Sequence, residues 1–223
     1  MNIKNNINNF RQNLPPTCQL IVVSKTQPLE KIQEAYDAGH RVFGENKVQE
    51  LIPKAEALPR DIEWHLIGHL QSNKVKYIAP FVHLIHSVDS FKLLEEINKQ
   101  AVKVKRTIAC LLQVHIAEEE TKFGFSADEV TTLIQNPVLE NMEGIKITGL
   151  MGMATFTDNT DQVRKEFKSL KKLFDSVKKI SSPRVAVQEL SMGMSGDYKI
   201  AVEEGSTMIR IGTAIFGERN YNL

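Results

Sequence analysis

Lys25 stands where an apolar run ends: Leu20-Ile21-Val22-Val23 leads through Ser24 into Lys25, Thr26, Gln27 and Pro28. A lysine at the mouth of a buried strand is partly desolvated, which lowers its pKa and suits it to form a Schiff base with a carbonyl. Snorkelling to the rim and pairing with a carboxylate are the structural alternatives. Arg210 lies inside Met208-Ile209-Arg210-Ile211-Gly212, where strand alternation sets it on the face of Gly212, opposite Ile209 and Ile211. A guanidinium keeps its proton, so burial demands a partner. Glu45 or Glu218 would supply a salt bridge, and the aromatic ring nitrogen of a ligand would supply an acceptor. Two glycine-spaced loops, Ser191-Met192-Gly193-Met194-Ser195-Gly196-Asp197 and Ile211-Gly212-Thr213-Ala214, offer backbone amides to an anion such as phosphate. Either loop alone reads equally well as a tight turn; the pair favours phosphate. Asn46, in Phe43-Gly44-Glu45-Asn46, carries both donor and acceptor groups, though a residue of this type after a strand also serves as a cap or turn. His65 and His69 are four apart on a strand and its loop with no third ligand close in sequence, so structural or supporting roles are expected and no metal is.

Bringing these residues together requires a scaffold of repeated units, and the chain has one. Strand candidates are Leu20 to Ser24, Arg41 to Gly44, Trp64 to Gly68, Leu84 to Val88, Thr107 to Val114, Ile147 to Met153, Val187 to Met192 and Met208 to Thr213. Amphipathic segments separate them. Val163, Phe167, Leu170, Phe174 and Val177 mark one face of a helix over Asp161 to Lys179, whose lysines read as a solvated opposite face. Leu29, Ile32 and Tyr36 give the first crossover helix its apolar stripe, with Gly39 at the left-handed cap. Ser90 to Lys103 turns Phe91, Leu94 and Ile97 inward, and Asp197 to Glu204 forms a short helix closed by Gly205. Eight strands alternating with helices, without a Gly/Ser/Pro-rich linker, predict a single (β/α)8 TIM barrel over residues 1–223. A doubly wound sheet is the main alternative. Only ten residues follow Thr213, too few for a full eighth helix, so the segment with Ile3, Ile7 and Phe10 is expected to form an extra N-terminal helix over that side.

Composition narrows the class further. With 42% hydrophobic and 25% charged residues, the 223-residue chain can build a sizeable core. A formal net charge of +1 with scattered acids and bases gives no field for nucleic acid or an anionic membrane. The two cysteines, Cys18 and Cys110, have no metal or CxxC spacing, and neither a signal peptide nor a membrane-length apolar run is present. A cytoplasmic location is expected.

A lysine for an aldehyde, an arginine for a ring nitrogen and two loops after the seventh and eighth strands for a phosphate together describe pyridoxal 5′-phosphate. The motifs Val23-Ser24-Lys25-Thr26, Phe43-Gly44-Glu45-Asn46, Trp64-His65-Leu66-Ile67-Gly68-His69-Leu70-Gln71, Gly149-Leu150-Met151, Leu190-Ser191-Met192-Gly193-Met194-Ser195 and Arg210-Ile211-Gly212-Thr213-Ala214-Ile215-Phe216-Gly217 closely resemble the pyridoxal phosphate homeostasis protein family. The resemblance spans nearly the whole chain. It implies a fold-type III barrel like the amino-terminal domain of alanine racemase, with Lys25 holding the cofactor as an internal aldimine and Arg210 facing its pyridine nitrogen. Ser195, Gly212 and Thr213 would bind the phosphate, and Asn46 and Met192 would lie near the ring or its edge. Members are described as cytosolic proteins that bind, store or hand over the cofactor, with PLP-dependent apoenzymes as conceivable recipients. Two residues depart from the family pattern: Lys47, where an aromatic residue often follows FGEN, and His115, where an asparagine is common. Both bear on selectivity rather than on cofactor binding.

Enzymatic readings are weaker. An arginine at the pyridine nitrogen leaves that nitrogen unprotonated and the electron sink weak, which disfavours transamination. Racemisation needs acid/base groups on both faces of the substrate. Lys25 can serve one, but none of Tyr36, Tyr77, Tyr198 or Tyr221 directly follows a strand end, and the second domain that brings a tyrosine in alanine racemases is absent from this chain. A weak amino-acid racemase ranks second to a cofactor-binding monomer without robust catalysis. An aldolase-like enzyme for phosphorylated sugars would use the same lysine and loops, but explains Arg210 poorly.

Overall fold

Parallel pairing of the apolar runs organises the computed structural model, which describes residues 2–118 and 123–217. Gln19–Val23 (β1), Val42–Glu45 (β2), Glu63–Leu66 (β3), Leu84–Val88 (β4), Ile108–Val114 (β5) and Ile145–Gly152 (β6) neighbour one another in sequence order. A two-residue strand, Ser181–Ser182 (β7), runs antiparallel to the start of Val185–Met194 (β8). Met208–Ile211 (β9) lies between β8 and β1, and β8 also pairs with β6, where Leu150 faces Leu190. Eight parallel strands thus close into a TIM barrel, as the alternation of elements predicts. Inside it, Ile21, Val42, Leu84, Leu111, Met151 and Met208 form an apolar cluster distinct from the larger one between strands and helices.

The helices are Ile3–Asn13 (α1), Leu29–Asp37 (α2), Val48–Ala57 (α3), Val75–Ile78 (α4), Phe91–Lys103 (α5), Ala127–Ile134 (α6), Thr160–Val177 (α7), Tyr198–Glu203 (α8) and Thr213–Phe216 (α9). The stripe on α7 is buried as expected, and four of its opposite-face lysines, Lys168, Lys172, Lys178 and Lys179, are exposed. Gly39, Gly193 and Gly205 take the left-handed backbone region at φ +83°, +97° and +91°. Leu29 differs from its expected inward role: as the first helical residue it remains 39% exposed, and Ile32 and Ala35 carry the packing of α2. Among the described residues, no helix is long and apolar enough to cross a membrane.

Two departures at strand ends matter for the site. β8 runs to Met194, beyond the expected Met192, because a register shift between Ser191 and Met194 keeps it paired with Arg210 of β9. Gly193 makes that shift possible, since a Cβ there would lie 2.6 Å from Ala201 Cβ of α8. β3 ends at Leu66, short of the expected Gly68, where the chain folds so close to Asn46 that a Cβ on Gly68 would lie 2.4 Å from the Asn46 carbonyl oxygen.

The N-terminal helix covers the side that the four-residue α9 leaves open. Ile3, Ile7 and Phe10 are buried, Asn6 Nδ2 donates to the Ile215 carbonyl at 2.9 Å, and the Phe10 ring meets Tyr198 edge-on at 5.2 Å. Truncating a fully buried aliphatic side chain typically costs about 2–5 kcal/mol. Ile7→Ala is therefore expected to lower the urea unfolding midpoint by a corresponding amount; an unchanged midpoint would show that α1 does not stabilise the barrel.

Candidate functional site

Lys25 lies two residues past the end of β1 and is half-buried. The main chain around it is fixed. The Ser24 amide donates to the Gly44 carbonyl at 3.0 Å, and the Ser24 carbonyl accepts from Lys54 Nζ at 2.8 Å. Thr26, at φ +62°, occupies a region that costs a non-glycine residue of order 1 kcal/mol or more. Its amide donates to Glu50 Oε2 at 2.7 Å and its hydroxyl to the Lys25 carbonyl at 2.6 Å, which holds it there. Beneath, the fully buried Glu45 accepts from Ser24 Oγ at 2.6 Å and from Lys54 Nζ at 2.7 Å through one oxygen. Burial pushes the Glu45 carboxyl above the usual carboxylate range, and the Lys54 ammonium opposes that rise. Glu45 is thus committed to Lys54 and Ser24, not to Arg210. Glu218, the other salt-bridge candidate, lies outside the described residues.

Arg210 is buried in the barrel wall at 4% exposure. Its Nη1 donates to Ser191 Oγ and its Nη2 to the Gly152 carbonyl at 3.1 Å. Burial pulls its pKa down to about 10 against the attraction of Asp197, so it stays charged at neutral pH. Asp197 itself accepts from the Met194 amide, and burial raises its pKa. From Ser191 a polar column crosses the barrel: Ser191 Oγ lies 2.9 Å from His86 Nδ1, and His86 Nε2 lies 3.0 Å from His65 Nδ1. Burial drives the His65 pKa down to about 3 and that of His86 well below its ordinary value, so both rings are neutral.

Above Arg210 opens a cavity of about 470 Å³. Six of the seven residues singled out from the sequence line it: Lys25, Asn46, Ser195, Arg210, Gly212 and Thr213. Met192 does not; it is fully buried in the cluster between strands and helices, while Met194 lines the cavity. Gly196 has open space around it, and Gly212 lies so near β1 that a Cβ would stand 3.1 Å from the Val23 carbonyl oxygen. The first amides of a helix have no intrahelical acceptor, which leaves those at the start of α9 available to an anion. His65 and His69 are separated, the first inside the barrel and the second at the rim, 3.1 Å from Asp89. Neither Lys47 nor His115 lines the cavity, although His115 borders a smaller one beside it.

Sequence reasoning passed over several supporting residues. Glu166 is buried on the apolar face of α7 and accepts from the Thr155 amide and hydroxyl, each at 2.7 Å, pinning the loop after β6 that forms one wall. A charged residue within an apolar stripe was its signal. Asp197 and Ser191 were visible at the two ends of a quoted motif, but His86 and Lys54 meet their partners only through the fold.

The barrel and its carboxyl-end cavity define a class. The sequence profile described as "Alanine racemase, N-terminal domain" matches residues 1–220. An alanine racemase from Clostridium difficile shares the fold at a TM-score of 0.74 with 14% identity, over 99% of this chain and 58% of that one. Within that class the chain belongs to the pyridoxal phosphate homeostasis protein family. A protein of that name from Aquifex aeolicus is 43% identical over 91% of this chain and 88% of its own length, and one from Haemophilus influenzae is 37% identical over 100% and 98%. PipY of Synechococcus elongatus, solved with PLP bound, is 37% identical with a TM-score of 0.85, covering 96% of this chain and all of that one; solved without PLP it superposes at 0.90.

The buried imidazoles set a pH dependence. His40 resembles His65 and His86: Arg11 Nη2 donates to its Nδ1 at 3.1 Å, its Nε2 donates to the Val42 carbonyl at 2.7 Å, and burial lowers its pKa to about 4. In the folded chain burial holds all three below the ordinary value, whereas an unfolded histidine takes up a proton near 6.5. Protons therefore favour the unfolded chain, and stability is lost as pH falls through the unfolded value. His40 and His65 are each expected to remove about 2 kcal/mol between pH 7 and pH 5, and His86 acts in the same direction. Urea titrations across that range check this, and a flat profile would refute it.

Proposed function

We propose that this chain binds pyridoxal 5′-phosphate and serves in its intracellular homeostasis, storing it and delivering it to PLP-dependent apoenzymes. The observation that carries the reading is the convergence of an ammonium, a buried guanidinium and two glycine-bearing loops on one cavity. Those groups match an aldehyde, a pyridine nitrogen and a phosphate, and cavities of several hundred Å³ suit ligands of this size. Lys25 Nζ would hold the aldehyde carbon. Arg210 presents an N–H to the ring nitrogen, leaving that nitrogen unprotonated. Ser195, Gly212 and Thr213 hold the phosphate, and Asn46, steadied by the close approach of Gly68, lies at the ring edge; Met192 supports the wall from behind. When bound, the cofactor supplies a carbonyl for amines and a conjugated ring that stabilises charge.

Binding rather than catalysis is favoured by what surrounds Lys25. Tyr198 packs on Phe10, Tyr36 bonds to Asp61 at 2.8 Å and Tyr77 lies beside Lys76, so no described tyrosine lines the cavity as a second base. Tyr221 lies outside the described residues. The two cysteines are buried free thiols, in keeping with the cytoplasm.

Borohydride reduction after incubation with PLP is expected to place the label on the peptide containing Lys25, and Lys25→Ala should lose both label and visible absorption. A label elsewhere, or a coloured Lys25→Ala protein, overturns the assignment. Incubation of the loaded protein with L-amino acids in heavy water is expected to leave their α-proton NMR signals intact. Lys25-dependent exchange would instead establish racemase-type chemistry.

A further inference from the structure

A second cavity, of about 280 Å³, opens where the amino ends of the strands meet, away from Lys25. This end of a barrel ordinarily serves stability. Here Glu63, His65, His83 and Thr148 are among its lining residues. Two buried polar atoms of those residues, His65 Nε2 and Thr148 Oγ1, have no hydrogen-bond partner among the described residues. His65 is 1% exposed, and its other ring nitrogen is already engaged by His86. An unsatisfied buried polar atom is destabilising, so a ligand on that nitrogen would stabilise the barrel as well as bind to it.

Glu63 and His83 bring further ligand atoms to the same place. One ligand atom from each of Glu63, His65 and His83 lies within 4.8 Å of the other two, and the His65 and His83 rings stack with centroids 5.5 Å apart. We propose that Glu63, His65 and His83 bind a divalent transition-metal ion of the zinc class, with water completing its coordination. Two imidazoles and a carboxylate form a donor set that zinc takes, with one position left to water. Zinc–ligand bonds of about 2.0–2.1 Å require tetrahedral ligand atoms roughly 3.4 Å apart, so separations of up to 4.8 Å must close by at most about 1.4 Å. His65 cannot move, but the side chains of His83 and Glu63 are 54% and 44% exposed and can rotate towards it. The environment of His65 also fits a ligand, because a metal-bound imidazole ordinarily donates its other N–H to a fixed acceptor, and His86 Nε2 lies 3.0 Å from Nδ1. Occupancy would fix the His65 proton on Nδ1. His86 would then donate to Ser191, the residue that already accepts from Arg210. The unpartnered Thr148 hydroxyl lines the same space and can bond the water ligand.

Calorimetric titration of untagged protein with Zn²⁺ tests the site. One ion per chain is expected, weakened roughly tenfold or more by either His83→Ala or Glu63→Gln. His69→Ala, at the opposite rim, should bind as the wild type does. Because His83 and Glu63 are surface residues, both variants should fold, and circular dichroism checks this. No binding by the wild type, or equal binding by wild type, His83→Ala and Glu63→Gln, overturns the proposal.

Discussion

A guanidinium that keeps its proton sits inside the wall of this barrel, and much of the structure answers to it. Arg210 replaces the hydration it loses with the Ser191 hydroxyl, the Gly152 carbonyl and the field of Asp197. Each partner comes from a different element. Gly152 ends β6, Ser191 lies in β8, and Asp197 caps α8. The register shift at Gly193 lets β8 offer Ser191 inward and still carry Met194 and Ser195 to the cavity. A buried unpaired charge is among the most destabilising features a fold can contain, so these elements are obliged to assemble around Arg210 in one arrangement.

Across the cavity, beside Lys25, lies a second buried ionic group. There Glu45 pairs with Lys54, which ties β2 to α3 and to Ser24. The two walls therefore differ in chemistry. Arg210 offers a fixed, permanently charged donor, while Lys25 offers an amine on a flexible stem.

The architecture was legible because its signals are local. Runs such as Leu20 to Val23 and the stripe on α7 need only periodicity to be read, and both lie where expected. The site was legible in part because glycines and charges at strand ends betray a ligand face, which brought Lys25, Asn46, Ser195, Arg210, Gly212 and Thr213 to one cavity. What escaped depends on contacts between distant segments. The column from Arg210 to His65 joins β9, β8, β4 and β3, and one of its links, His86 to Ser191, spans 105 positions. The family resemblance implied Met192 near the ring or its edge, but a bulge decides which of Met192 and Met194 faces the cavity, and a bulge has no simple periodic signature. Leu29 shows the same limit at a helix end, where periodicity continues but the packing partner does not.

Thr26 carries a consequence of another kind. Its left-handed backbone is clamped by Glu50 on one side and by the Lys25 carbonyl on the other, and Ser24 is bound to two further elements. The main chain at Lys25 is rigid, and the freedom to move resides in the four methylenes of the lysine. Were Lys25 to hold an aldehyde as proposed, release would turn on the carbon–nitrogen bond and on the nucleophile that reaches it rather than on movement of this main chain.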